Sequence, residues 1–267
     1  MRAATFRKLH ESGCFVIPNP WDVGSARLLE GLGFAALATT SAGLAWSLGK
    51  RDNHVTLEDV LAHLRQITAS VSVPMNADFE GAFAVEPSAV AVNVARAAAT
   101  GIAGLSVEDS TKTPAQPLFE FGLAVDRIRA ARTAIDASGS GVLLTARSEG
   151  FIAGRPDLGE TIRRLTAYAE AGADCLFAPG IRSEDQIRAV VAAVSPKPVN
   201  VIAVSSLSVA QHASMGVRRI SVGGSLARTA WTGFLSAARD IATDGTFTAL
   251  AQAIPVADMN SLFRVDS

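Results

Sequence analysis

Cysteine is scarce. The 267 residues contain only Cys14 and Cys175, too few for a disulfide framework and without zinc-ligand spacing, as expected in a reducing compartment. An excess of one charge is also missing. Lys and Arg number 24 against 25 Asp and Glu, a formal net charge of −1, which argues against the basic face a nucleic-acid binder needs. No stretch approaches the roughly 18 uncharged apolar residues of a membrane span. The first residues carry Arg2, Arg7, Lys8 and His10 and no apolar run, so no signal peptide is expected. The histidines His10, His54, His63 and His212 are scattered, which disfavours zinc. What is present is a chain 49 % hydrophobic and 18 % charged, ample for a packed core. The expectation is a cytoplasmic globular protein whose partners are small molecules, not nucleic acid or membrane.

Short apolar runs at residues 14–17, 34–39, 73–76, 104–107, 142–145, 175–177, 199–203 and 219–222 have the length and composition of strands buried on both faces of a parallel sheet. Between them lie segments with helical patterning at 22–33, 56–70, 87–100, 125–137, 158–171, 184–194, 208–215 and 226–242, several Ala-rich with arginines on one side. Thr56 followed by Glu58 and Asp59 marks a helix start, and Gly33, Gly101, Gly172 and Gly216 stand where a helix gives way to a strand. About eight β-then-α units in roughly 225 residues predict a (β/α)₈ TIM-type barrel. An open doubly wound sheet is disfavoured, because Pro18-Asn19-Pro20-Trp21-Asp22 follows the first strand in place of a Gly-rich phosphate loop. No linker splits the chain, so residues 1–245 read as the barrel and 246–267 as a C-terminal helical extension.

A barrel builds its site at the C-terminal ends of its strands. Those ends hold Asn19 and Asp22, then Thr39-Thr40-Ser41-Ala42-Gly43, Asn76-Ala77-Asp78-Phe79-Glu80, Glu108-Asp109-Ser110, Arg147-Ser148-Glu149, Ala178-Pro179-Gly180, Val204-Ser205-Ser206 after Asn200, and Gly223-Gly224-Ser225. The acids concentrate on the third to fifth strands, with Arg147 among them. Carboxylates without Cys or His partners suit a hard cation, Mg²⁺ or Mn²⁺. Asp22 reads as a helix cap. Glu80 and Asp109 read equally as solvated loop residues or backbone partners, whereas Asp78, Glu108 and Arg147 each close an apolar strand and converge on one mouth.

Taken together, Asn19-Pro20-Trp21-Asp22 with Ser25-Ala26-Arg27, Thr40-Ser41-Ala42-Gly43, Leu48-Gly49 with Asp52, Asn76-Ala77-Asp78, Val107-Glu108-Asp109, Thr145-Ala146-Arg147 and Ala171-Gly172-Ala173-Asp174 resemble the isocitrate lyase / phosphoenolpyruvate mutase superfamily. The resemblance implies Mg²⁺ at the barrel mouth and chemistry on 2-oxo acids, or on substrates that yield their enolates. It implies that Asp78 ligates the metal directly and that Asp52 and Glu108 hold metal-bound waters. Asn76 stands where many members carry a second acid, and can still hold a metal water. The turn Ser41-Ala42-Gly43 after Thr40 matches the one whose N–H groups receive a substrate carboxylate, and Arg147 matches the arginine that contacts the substrate anion. Asn200, within the seventh strand, is a further substrate-binding candidate. The resemblance further implies tetramers, or dimers, whose last helices are exchanged between neighbours. Phe247, Leu250, Ile254, Leu262 and Phe263, with Trp231, Phe234 and Leu235 before them, would supply the apolar interface.

The segment Ser110-Thr111-Lys112-Thr113-Pro114-Ala115-Gln116-Pro117 lacks the Cys and His of isocitrate-type lyases, and Pro179 replaces a His or Glu carried by several members. Without that thiol acid, the simplest reaction for a metal, an anion pocket and Arg147 is decarboxylation of an oxaloacetate-like acid, with the enolate protonated from solvent. The alternatives are a hydrolase of oxaloacetate or phosphonopyruvate, with Ser110 positioning water; a methylisocitrate-type lyase lacking the usual Cys; and an inactive 2-oxo-acid-binding barrel. A sugar-phosphate enzyme using Gly223-Gly224-Ser225 as a phosphate turn is a further rival. Glu80 and Glu149 are candidate acid–base groups, Lys112 is expected toward solvent, and the loop 112–122 is long enough for a lid.

Overall fold

Eight parallel strands form the wall: β1 (Phe15–Ile17), β2 (Leu37–Ala38), β3 (Met75–Asp78), β4 (Gly104–Glu108), β5 (Leu143–Arg147), β6 (Cys175–Phe177), β7 (Val199–Ile202) and β8 (Arg219–Ser221). The computed structural model describes residues 1–263; the last four residues of the expected C-terminal extension lie outside them. From β2 to β8 each strand pairs with its neighbour in sequence, and β1 pairs with β8. The seam between β1 and β2 is bridged by the Ala38 N–H donating to the Pro18 carbonyl at 3.0 Å. The fold is the (β/α)₈ barrel expected from the spacing.

The helices are α1 (Arg2–Leu9), α2 (Val23–Gly31), α3 (Ser41–Ser47), α4 (Leu57–Ser70), α5 (Pro87–Ala98), α6 (Phe121–Ser138), α7 (Leu158–Glu170), α8 (Glu184–Val194), α9 (Val209–Ser214), α10 (Ser225–Asp244) and α11 (Val256–Ser261), with a 3-10 turn at Thr248–Gln252. Side chains explain several starts. Asp22, Thr56, Ser183 and Ser208 each cap a helix in a reciprocal capping box, so Asp22 is the cap its position suggested. Two helices were not foreseen. Helix α1 buries a single residue, Phe6, which closes the barrel floor so tightly that a Cβ on Gly104 would meet its ring at 2.6 Å. Helix α3 turns the second strand end into a helix start, with the Thr40 hydroxyl accepting from the Gly43 N–H at 3.3 Å.

Alternation along the strands separates two environments. Leu105, Val107, Leu144, Ala146, Val201 and Ile220 face outward into the main apolar cluster beneath the helices, and each such Leu, Val or Ile contributes about 1.5–3 kcal/mol by leaving water. Many inward positions are small or polar, including Ala38, Asn76, Ser106, Asn200 and Ser221, beside the larger Ile17 and Phe177. Bulky branched side chains usually fill these layers; here the small ones leave part of the interior open.

The helix after β8 is an exception. Ala227 is the only buried residue of α10, while Phe234, Leu235 and Ile241 are exposed. Beyond it Phe247, Leu250, Ile254 and Leu262 are also exposed. Among the described residues, no helix is long and apolar enough to cross a membrane.

Candidate active site

The hollow interior opens at the C-terminal strand ends as a cavity of about 170 Å³, the volume of roughly five or six waters. Arg147, at the end of β5, organises its mouth. Its Nη1 donates to Asp78 Oδ1 at 2.7 Å, its Nη2 lies 2.8 Å from Glu149 Oε1 and 3.3 Å from Glu108 Oε2, and its Nε donates to Glu149 Oε1 at 3.0 Å. Burial alone would weaken its hold on the proton, but Glu149, Glu108 and Asp78 outweigh that and keep the guanidinium firmly charged. The second Asp78 oxygen accepts from the Ser41 N–H at 3.0 Å. Lys112, expected toward solvent, instead folds back into an ion pair with Glu108 Oε1, because Glu108 is buried and only one of its oxygens faces Arg147.

Two further carboxyls are shifted here. Burial, reinforced by Asp78, pushes Glu80 up to about 7. Burial and Glu108 also push Glu149 upward, against the pull of Arg147. Glu80 stands on a strained turn: Glu80, Ala82 and Phe83 all have positive φ without being glycine, a cost often found beside functional groups. Arg127 from α6 holds this turn, donating to the Gly81 carbonyl at 2.6 Å and the Val85 carbonyl at 2.7 Å, with its guanidinium 4.0 Å from the Phe119 ring centre.

Asp109 is neither a solvated loop residue nor a mouth acid. It is buried and accepts from the Glu149 N–H at 2.8 Å, the Tyr168 hydroxyl at 2.7 Å and Arg164 at 3.2 Å. It therefore ties the end of β5 to α7.

The structure gathers most, but not all, of the residues marked by sequence. Thr40, Ser41, Ala42, Asn76, Asp78, Arg147 and Asn200 line the cavity, with Glu108 behind Arg147. Gly43 sits behind the lining, where a Cβ would meet Thr40 and Trp21 at 2.7 Å. Of the three N–H groups expected for a substrate carboxylate, those of Ser41 and Gly43 are engaged by Asp78 and Thr40. Asp52 is exposed on the loop after α3; its carboxylate accepts from the Asn53 N–H at 2.9 Å and reaches the mouth only through its field on Glu80. Ser110 lies outside the lining, its hydroxyl accepting from the Lys112 N–H at 3.2 Å. The loop after β4 is pinned by a bridge between Ser110 and Leu118. Sequence reasoning missed the burial of Glu80 and the inward turns of Lys112, Arg127 and Arg164. It also missed Arg219, although the two-residue alternation with Ser221 would have placed it inside.

Among the described residues, no three His, Cys, Asp or Glu side chains form a ready metal cluster. The donor chemistry nevertheless fits a hard divalent cation. Asp78, Glu80, Glu108 and Glu149 face Arg147 and Lys112, so four carboxyl groups meet two cations, and the raised Glu80 and Glu149 mark the shortage of positive charge. Glu80 Oε1 and Asn76 Oδ1 are buried acceptors without partners, and buried acceptors are rarely left so.

Comparison with known proteins places this geometry. The family profile described as phosphoenolpyruvate phosphomutase matches residues 6–242. An uncharacterized protein of Mycobacterium tuberculosis is 33 % identical over 221 residues, covering 82 % of this chain and 81 % of its own. The oxaloacetate decarboxylase of Rhodopseudomonas palustris is 30 % identical over 206 residues, 73 % of this chain and 68 % of its own. The 2-methylisocitrate lyase of Escherichia coli is 33 % identical over 165 residues, 58 % of this chain and 54 % of its own. Among solved structures, a putative lyase/mutase from Burkholderia cenocepacia superposes with a TM-score of 0.96 at 45 % identity, covering 100 % of this chain and 97 % of that one. Oxaloacetate acetylhydrolase in complex with oxalate superposes with a TM-score of 0.86 at 27 % identity, covering 97 % and 93 %.

Proposed function

The chain belongs to the phosphoenolpyruvate phosphomutase family, within the isocitrate lyase / phosphoenolpyruvate mutase superfamily, and we propose that it is a magnesium-dependent lyase decarboxylating oxaloacetate or a close 2-oxo dicarboxylate. The observation that carries this reading is the surplus of carboxylates around Arg147 at the mouth of a cavity of only about 170 Å³. That volume is well below the roughly 300–1,000 Å³ of drug-sized pockets, and it suits an acid of a few carbons. Relatives named as C–C and P–C lyases and mutases support the class, and the oxaloacetate decarboxylases among them support the reaction.

Asp78 would hold Mg²⁺ directly, with Glu108, Asn76 and Asp52 supporting its waters. When bound, the ion would supply a Lewis acid for the 2-oxo group. The chain's own groups do the rest. Arg147 presents a fixed fork beside Asp78 and orients the substrate carboxylate. Thr40, Ser41 and Ala42 shape the opposite wall. The substrate's bond to its departing carboxylate breaks, carbon dioxide leaves, and the electron pair becomes the enolate of pyruvate. Protonation at its terminal carbon completes pyruvate, from solvent or from Glu80, which titrates near neutrality as a working acid should.

Hydrolysis is the second reading, favoured by the likeness to oxaloacetate acetylhydrolase. An NMR-monitored panel of oxaloacetate, methylisocitrate, dimethylmalate and phosphonopyruvate separates the readings. Pyruvate and carbon dioxide from oxaloacetate support decarboxylation. Oxalate and acetate indicate the hydrolase, faster cleavage of methylisocitrate to succinate and pyruvate indicates the lyase without its thiol, and no turnover leaves a binding barrel.

The same reading includes self-association, as a tetramer or dimer with exchanged C-terminal helices. It is supported by α10, which buries only Ala227 and leaves Phe234 and Leu235 exposed at 60 % and 43 %. Light scattering at micromolar concentration tests it, and a monomer mass would refute it.

A further inference from the structure

The cavity floor holds a charge that this mechanism does not use. Arg219, the first residue of β8, points into the barrel and is 3 % exposed. Its Nε donates to Asn200 Oδ1 at 2.8 Å, its Nη2 donates to Thr145 Oγ1 at 3.0 Å, and its Nη1 lies 3.3 Å from His10 Nε2. All three partners are neutral: an amide, a hydroxyl, and an imidazole that burial and Arg219 itself push down to about 3. Among the described residues, no carboxylate forms an ion pair with Arg219. Asp174, whose field reaches His10, is bound by Arg7 and Arg132, each at 3.0 Å. A guanidinium carries five N–H donors, so one on each Nη remains free. A cation buried without a counter-charge is costly, and an anion in the adjoining space would remove that cost.

That space exists, and it is continuous with the mouth. Arg219, Asn200, Asn76 and Ser221 line the same cavity as Asp78 and Arg147. The two arginines are joined through the sheet, where Arg147 is in register with Phe177, Phe177 with Asn200, and Asn200 with Arg219. Three steps of about 4.8 Å along strands tilted by about 36° lower this row by roughly 8 Å from mouth to floor. Both arginines line the one cavity from the two ends of this row, and a dicarboxylic acid has a carboxylate for each. Arg147, in contrast, is enclosed by Asp78, Glu108 and Glu149. In the proposed function Arg147 orients a carboxylate at the mouth while sharing its charge with these acids; among the described residues lining the cavity, Arg219 is the cation without an ion-paired carboxylate.

We propose that Arg219, held by Asn200 and Thr145, forms a carboxylate subsite at the barrel floor that receives the second carboxylate of a four-carbon dicarboxylic substrate. The substrate class rests on the proposed function; the subsite itself can be tested without turnover. Calorimetric titration of the full chain with succinate and with pyruvate, in the unsubstituted protein, R219Q and R219K, reads it directly. The expected result is at least a tenfold loss of succinate affinity in R219Q, less than a twofold change for pyruvate, and succinate affinity within about threefold in R219K. Equal losses for both ligands, undiminished succinate binding in R219Q, or no succinate binding by the unsubstituted protein would overturn it. Should R219Q fail to fold, a crystal structure of the unsubstituted protein soaked with succinate decides. A carboxylate hydrogen-bonded to Arg219 supports the subsite, and an empty floor overturns it. Succinate binding through Arg219 without turnover of oxaloacetate would uphold the subsite and refute the decarboxylase; turnover with an unaltered KM in R219Q would do the reverse.

Discussion

The mouth and the floor of one cavity carry opposite charge, arranged by opposite means. At the mouth, acids outnumber cations and Arg147 is shared among Asp78, Glu108 and Glu149. At the floor, Arg219 is surrounded by an amide, a hydroxyl and a neutral imidazole. The mouth collects residues from strand ends and the turns after them, where the backbone can take strained angles such as Glu80 at φ 46°. The floor is built within regular strands and closed by α1. The contrast is between an arginine that shares its charge with three acids and one that has no paired acid.

Removing Asp78 should disturb the mouth most. In Asp78→Ala, turnover of the 2-oxo acid should fall about 10²–10³-fold, the scale of losing one transition-state electrostatic partner, and Mg²⁺-dependent binding of oxalate should vanish from calorimetric titrations. Unchanged affinity would remove Asp78 from the site. Next comes the scaffold behind the mouth. Asp109→Ala removes the acceptor of the buried Tyr168 hydroxyl and the Glu149 N–H, while Arg164 keeps Glu160 at 2.8 Å, and should cost about 1–3 kcal/mol in denaturant unfolding. An equal loss of activity at full stability would instead make Asp109 a mouth acid.

The floor has its own pH signature. His10 is lowered to about 3 and His63 to about 4, mainly by burial, so between those values and 6.5 the unfolded chain binds more protons. Stability therefore rises with pH up to about 6.5 and is lost as the solution is acidified below it. The contribution of His10 should amount to on the order of 2 kcal/mol between pH 6.5 and pH 5. Thermal melts of His10→Gln should show a shallower acid slope, and an unchanged slope would mean that His10 is already protonated in the fold. The smallest effect is expected at the exposed edge. Asp52→Asn should weaken Mg²⁺ by about tenfold or less, and a loss as large as that of Asp78→Ala would show that the loop after α3 closes onto the site.

The barrel was legible because short apolar runs alternate with helical segments at regular spacing, and reading strand ends then located Asp78, Glu108 and Arg147. Helix α1 was hidden because its only buried side chain is Phe6, which leaves no apolar stripe. Helix α3 was hidden because Ser41-Ala42-Gly43 reads as a turn until Thr40 is seen to cap it. Arg127 and Arg164 look like surface arginines on Ala-rich helices; only the packing of α6 and α7 shows them turned inward onto the Glu80 turn and Asp109. Lys112 was misplaced for a related reason. Its partner Glu108 stands only four residues earlier, at the end of β4, but nothing in the local sequence shows that the loop turns back over a buried carboxylate.

The central claim is that the acid-rich mouth decarboxylates a small 2-oxo diacid. The most direct measurement is a proton NMR time course of oxaloacetate with Mg²⁺, comparing unsubstituted protein, Asp78→Ala and buffer containing Mg²⁺ alone. The account predicts pyruvate formation well above the buffer rate in the unsubstituted protein, falling to that rate in Asp78→Ala. Pyruvate formation at the buffer rate in both proteins, or at equal and elevated rates in both, would contradict it.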